Sequence, residues 1–105
     1  MQNGEIEGFA RQIAERFRPA KIILFGSYAG GNASADSDVD LLVLMEFEGA
    51  AQEQAYQIRR ALPRRFPLDL LVRRPADVAH RVAAGDQFLR QILDTGRVLH
   101  ERTDG

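Results

Sequence analysis

The chain has 105 residues, enough for one domain with a modest hydrophobic core. Its 45% hydrophobic and 28% charged residues are typical of a folded protein and argue against disorder, and its formal net charge is only -1. Because cysteine is absent, disulfides and thiolate metal sites are excluded. No apolar run has the length of a signal peptide core or a bilayer span, so we expect a soluble cytoplasmic protein.

The predicted elements alternate between helix and strand. Apolar residues at helical spacing predict an amphipathic helix over residues 5–17, ended by Pro19. Apolar runs, glycines and prolines predict the rest: strands at 20–25, 38–45 and 67–72, at most a short helix within 28–36, helices at 50–64, from 75 and around 88–93, and an extended edge at 98–99. The first two strands are too close in sequence for a purely parallel sheet. We predict the α/β (α+β) class, with a small mixed β-sheet flanked by helices in one domain over residues 1–105.

For two groups of side chains, a structural role is preferred to a binding role. A cluster of arginines is predicted to be a solvated helix face and a turn, with a patch for an anionic ligand as the alternative; its members are Arg59, Arg60, Arg64, Arg65, Arg73 and Arg74. An apolar stripe near the end of the chain is predicted to be core, with a subunit contact as the alternative; it comprises Phe88, Leu89, Ile92 and Leu93.

Three aspartates stand in otherwise apolar strands. Side chains alternate along a strand, so Asp38 and Asp40 share a face, and Asp69 interrupts the third predicted strand. Carboxylates roughly 5 to 7 Å apart repel by on the order of 1 to 3 kcal/mol. If the second and third strands pair, all three acids converge. The cluster can then protonate, recruit arginine or bind a divalent cation, and the cation explains it best, with magnesium preferring carboxylate and phosphate oxygens.

A glycine-serine turn precedes the acids. Gly26 allows a sharp turn and a close approach to a ligand, and Ser27 at the start of a short helix offers its hydroxyl and nearby N–H groups to a phosphate. Either feature alone is a common turn or strand end. Together with Asp69 they predict a site for phosphate and metal.

The spacing of Gly26-Ser27 and Asp38-Val39-Asp40 resembles the signature of the polymerase-β-type nucleotidyltransferase superfamily. The short chain is similar to the minimal nucleotidyltransferases of that superfamily, almost end to end. The resemblance implies that Gly26 and Ser27 hold the triphosphate of ATP and that Asp38, Asp40 and Asp69 bind two Mg²⁺ ions. It also implies that Asp69 orients and deprotonates the attacking hydroxyl.

One position departs from the family pattern. Members commonly read Gly-Ser-x-Ala-Arg-Gly, and Gly30 stands here in place of the arginine. The change removes a cation from beside the triphosphate or the acids, which would weaken nucleotide binding.

The resemblance also implies a partner. Larger relatives carry a second domain for the acceptor, and we expect this chain to have no residues left for one. Minimal nucleotidyltransferases resemble antitoxins whose partner toxin is a helical HEPN ribonuclease, which implies transfer of AMP from ATP to a toxin tyrosine. The alternatives are an antitoxin that acts by binding alone and a small-molecule adenylyltransferase. Direct nucleic-acid binding is not expected, because no long basic surface studded with aromatic residues is present.

Overall fold

The computed structural model describes residues 3–34 and 36–103. The helices and strands follow the predicted order: α1 (Asn3–Phe17), β1 (Lys21–Phe25), α2 (Ser27–Gly30), β2 (Val39–Leu44), α3 (Ala51–Ala61), β3 (Leu68–Arg73), α4 (Pro75–Ala83), α5 (Gln87–Thr95) and β4 (Arg97–Glu101). None of the helices in these residues is long and apolar enough to cross a membrane.

Within the described residues, four strands form one sheet in the order β3-β2-β1-β4. β1 pairs antiparallel with β2 and with β4, whereas β2 and β3 are parallel and are connected through α3. A parallel pair needs a long crossover, and α3 supplies it. The predicted mixed sheet flanked by helices is therefore confirmed.

Helices pack on both faces of this sheet, so apolar clusters form on each side rather than the one core expected. The larger cluster joins α1 and α3 to the sheet, and its fully buried members include Ile6, Ile13, Ile22, Leu41, Val43 and Ile58. The smaller cluster joins α4 and α5 to the other face through Ile23, Leu42, Leu44, Val78, Leu89 and Ile92. The alternation along β2 explains the division, since successive side chains point to opposite faces.

The end of the third helix and the burial of the apolar stripe differ from the sequence prediction. The third helix was predicted to reach residue 64, but α3 ends at Ala61 and Leu62 is extended, because Pro63 disfavours helical backbone in the residue before it. The apolar stripe was predicted to be core, but only its middle members are buried. Phe88 and Leu93 remain 56% and 40% exposed, because α5 contacts the sheet along a narrower stripe.

The arginine cluster divides into exposed and structural members. Arg59 and Arg60 are exposed on α3, as predicted. Arg74 instead lies 4.0 Å over the Phe47 ring and donates from Nη2 to the Phe47 carbonyl at 2.8 Å. It also forms an ion pair with Asp77. Arg74 thus fixes the loop that follows β2 and is not part of a free cationic patch.

Candidate functional site

Gly26 places backbone directly against an acid of the predicted site. Its φ of 74° and ψ of -151° lie in a region that is essentially restricted to glycine. A Cβ at this position would overlap Oδ2 of Asp40 and would lie 3.1 Å from Asp40 Cγ. The turn therefore needs glycine both for its backbone conformation and for its approach to the carboxylate.

Ser27 begins α2, as the sequence predicted. The turn is closed by backbone hydrogen bonds from Gly30 N to Gly26 O at 3.1 Å and from Asn32 N to Ser27 O at 3.0 Å. The first N–H groups of a helix have no acceptor within that helix. The turn thus presents backbone N–H groups beside Asp40, and such groups can donate hydrogen bonds to a phosphate.

The strand register brings Asp40 and Asp69 together. Asp40 of β2 is paired with Asp69 of β3 on one side and with Phe25 of β1 on the other. Residues paired across neighbouring strands share a face, and neighbouring strands lie about 4.8 Å apart. Asp38 precedes β2 and is exposed, as is Asp69, whereas Asp40 is half-buried. The predicted acids therefore gather at one end of the sheet.

The carboxyl of Asp40 is affected both by burial and by the two neighbouring acids. Burial raises the pKa of the Asp40 carboxyl above its ordinary value of 3.8, and the negative charges of Asp69 and then Asp38 raise this pKa further. All three causes disfavour the ionised form of Asp40. A cation at this position would relieve the repulsion.

The donor set has the chemistry that magnesium prefers, since all three candidates offer carboxylate oxygens. No group of three or more acids or histidines that could hold a metal ion is assembled in residues 3–34 and 36–103. The acids thus converge and repel without forming a closed ligand set. Two features suit magnesium: the donors are carboxylate oxygens, and a cation would offset the repulsion between Asp40 and its neighbouring acids.

A small cavity next to the turn was not predicted from the sequence. It has a volume of about 170 Å³ and is lined by Phe25, Gly26, Phe88, Gln91, Ile92 and Thr95. The pairing of Phe25 with Asp40 puts both residues on one face of the sheet, and α5 completes the cavity through tertiary packing. A larger groove of about 660 Å³ lies along α4 and α5, and none of the predicted site residues lines it.

Comparisons with known proteins bear on the family and the fold of the chain. A family model described as polymerase beta, nucleotidyltransferase, matches residues 9–105. Among solved structures, a candidate nucleotidyltransferase from Sulfolobus solfataricus has a TM-score of 0.58 and 21% identity, over 73% of this chain and 70% of that chain. A toxin-antitoxin complex with AMP-PNP has a TM-score of 0.58 and 23% identity, over 92% of this chain and 74% of that chain.

A mutant of the toxin-antitoxin MntA-HpeT has a TM-score of 0.52 and 20% identity, over 98% of this chain and 75% of that chain. At these identities the structural similarity shows the fold. No curated protein matches the chain.

Proposed function

Because this chain belongs to the polymerase beta nucleotidyltransferase family, we propose that it is a magnesium-dependent cytoplasmic antitoxin that transfers AMP from ATP to a tyrosine of a HEPN-type ribonuclease toxin. One observation carries the proposal. Asp40 is paired with Asp69 on the neighbouring strand, while the backbone of Gly26 lies against the Asp40 carboxylate. A phosphate turn thereby meets an acid cluster.

The proposed reaction needs residues for metal binding, for phosphate binding and for proton transfer. Asp38, Asp40 and Asp69 would hold magnesium, and Gly26 and Ser27 would hold the triphosphate. Magnesium, when bound, supplies positive charge that stabilises the negative charge developing on the phosphate oxygens. Asp69 orients the tyrosine hydroxyl and accepts its proton. The tyrosine oxygen forms a bond to the α-phosphorus as the bond to the bridging oxygen breaks, and pyrophosphate leaves.

Two solved structures support the choice of partner and nucleotide. Both are toxin-antitoxin complexes with the same fold, and one contains AMP-PNP, an analogue of ATP. In the mutant complex, glutamate replaces two aspartates that lie two positions apart, the spacing of Asp38 and Asp40. An added AMP would place bulk and negative charge on the toxin, which explains how transfer would neutralise it.

The test uses the chain co-purified with a HEPN-type partner, supplied with magnesium and ATP labelled in the α-phosphate. We expect label on the partner and, by mass spectrometry, an AMP group on a tyrosine. An Asp38→Asn, Asp40→Asn double variant should transfer no label. Glu53→Gln is the matched control, since Glu53 is an exposed acid on α3, against the opposite face of the sheet.

The same experiment distinguishes a second candidate function. Gly30 stands where members of the family carry arginine, which favours an antitoxin that works by binding alone. In that case the partner would stay unmodified, and the wild-type chain and the double variant would inhibit its ribonuclease equally. Such a result would refute transfer and leave the binding function.

A further inference from the structure

We infer that the cavity between β1 and α5 is an adenine-binding subsite, an inference that rests on the proposed function. The cavity is lined by Phe25, Gly26, Phe88, Gln91, Ile92 and Thr95 and has a volume of about 170 Å³. It is small and mostly apolar, with polar groups along one side from α5. A flat heteroaromatic ring with hydrogen-bonding edges suits such a lining.

The position of the cavity links it to the predicted phosphate turn. Gly26 lines the cavity and also approaches the Asp40 carboxylate, so the two regions share one residue. Phe25, which lines the cavity as well, is paired with Asp40 across β1 and β2. A nucleotide whose phosphates lie at the turn and the acids would therefore have this cavity within reach of its base.

Phe88 supplies an apolar surface that the fold itself does not bury. Its side chain is 56% exposed, although it packs edge-to-face on Phe25 with ring centroids 6.0 Å apart. Bases stack on such aromatic side chains, and loss of one stacking partner weakens binding roughly 5- to 150-fold. Phe88 is thus the principal candidate for contact with the base.

Gln91 gives the cavity a preference among bases. In the part of the chain that the structure describes, its side-chain amide has no hydrogen-bond partner, while its backbone carbonyl accepts from the Thr95 hydroxyl at 2.7 Å. An amide offers one donor and one acceptor group. Adenine presents the complementary pair at N6 and N7, whereas guanine presents two acceptors at O6 and N7. The subsite should therefore prefer ATP to GTP.

The test compares ATP, GTP and inorganic tripolyphosphate, each titrated with magnesium into the full chain. We expect ATP to bind most tightly. Phe88→Ala should weaken ATP binding about tenfold and leave tripolyphosphate binding unchanged. Leu93→Ala is the matched control, because Leu93 is another exposed apolar residue of α5 that does not line the cavity. Gln91→Leu should reduce the preference for ATP over GTP.

The outcomes separate this inference from the proposed function. If tripolyphosphate binds as tightly as ATP, or if Phe88→Ala weakens both ligands equally, the cavity takes no base and the inference fails while the phosphate site stands. If Leu93→Ala weakens ATP binding as much as Phe88→Ala, the effect is not local to the cavity and the inference is again overturned. If neither ATP nor tripolyphosphate binds, the proposed function itself fails.

Discussion

Replacing Gly26 with alanine should damage both the stability and the site. The backbone at Gly26 has a φ of 74° and a ψ of -151°, a region whose cost for a residue with a side chain is about 1 to 3 kcal/mol. The new Cβ would also overlap Oδ2 of Asp40 and displace its carboxylate. In a domain of this size, 1 kcal/mol lowers Tm by roughly 4 to 8 °C, so Gly26→Ala should lower Tm by roughly 4 to 24 °C.

Gly49→Ala provides the matched control for backbone strain. Gly49 also has a positive φ, of 80°, but no atom lies within 4 Å of the position its Cβ would take. It follows the end of β2 opposite to the acids. We therefore expect Gly49→Ala to lower Tm and to retain the affinity for magnesium and ATP, whereas Gly26→Ala should lower both.

The assay combines thermal melting by circular dichroism with titration calorimetry of magnesium and ATP. A Gly26→Ala variant with the Tm and the affinity of the wild type would refute the reasoning. So would equal loss of affinity in the two variants, because only Gly26 approaches a carboxylate of the site.

Two further predictions concern charged groups. In metal-free buffer the Asp38→Asn, Asp40→Asn variant should have the Tm of the wild type or a slightly higher one. Because solvent screens the repulsion, the gain in the free energy of unfolding should be at most about 1 kcal/mol. Because the pKa of Asp40 is raised in the folded state, its stabilising contribution is present below pH 3.8 and is lost as the pH rises through the folded-state pKa. The variant lacks this titration, so its Tm relative to that of the wild type should rise over that range. A clear fall in Tm would indicate a structural role for the two aspartates. Asp86 behaves oppositely: the backbone N–H of Leu89, and then the Arg81 side chain, hold its pKa below 3.8, so its contribution is present above that pH and lost as the pH falls. The Tm difference between the wild type and Asp86→Ala should therefore shrink below about pH 4 in melts across pH, and a constant difference would contradict the reasoning.

The strands could be predicted from the sequence because their pattern is local. The two-residue alternation along β2 placed Asp40 opposite in face to Val39 and Leu41, and the structure buries both apolar residues. The approach of Asp69 was predicted only on the condition that β2 and β3 pair, and the structure pairs them. The turn at Gly26 could likewise be predicted, because glycine readily adopts backbone conformations such as this one that other residues avoid.

Features that depend on tertiary packing were not predictable in this way. Helical spacing identified the apolar side of α5 but not the width of the stripe that meets the sheet, so Phe88 and Leu93 were wrongly assigned to the core. Arg74 was placed in a solvated cluster because its contact with Phe47 joins residues far apart in sequence. The end of α3 is different, since Pro63 carried a local signal that the prediction of a longer helix overlooked.

The position of β3 at one end of the sheet order has a consequence for motion. β2 is held between two strands, whereas β3 is hydrogen-bonded to β2 alone within the described sheet. Local opening of a terminal strand is less costly than opening of a central one, so we expect β3, which carries Asp69, to open more readily than β2, which carries Asp40. An ion shared by Asp40 and Asp69 would tie β3 to β2. Amide hydrogen exchange along β3 would then slow when the ion binds, because the ion would stabilise the edge strand against local opening.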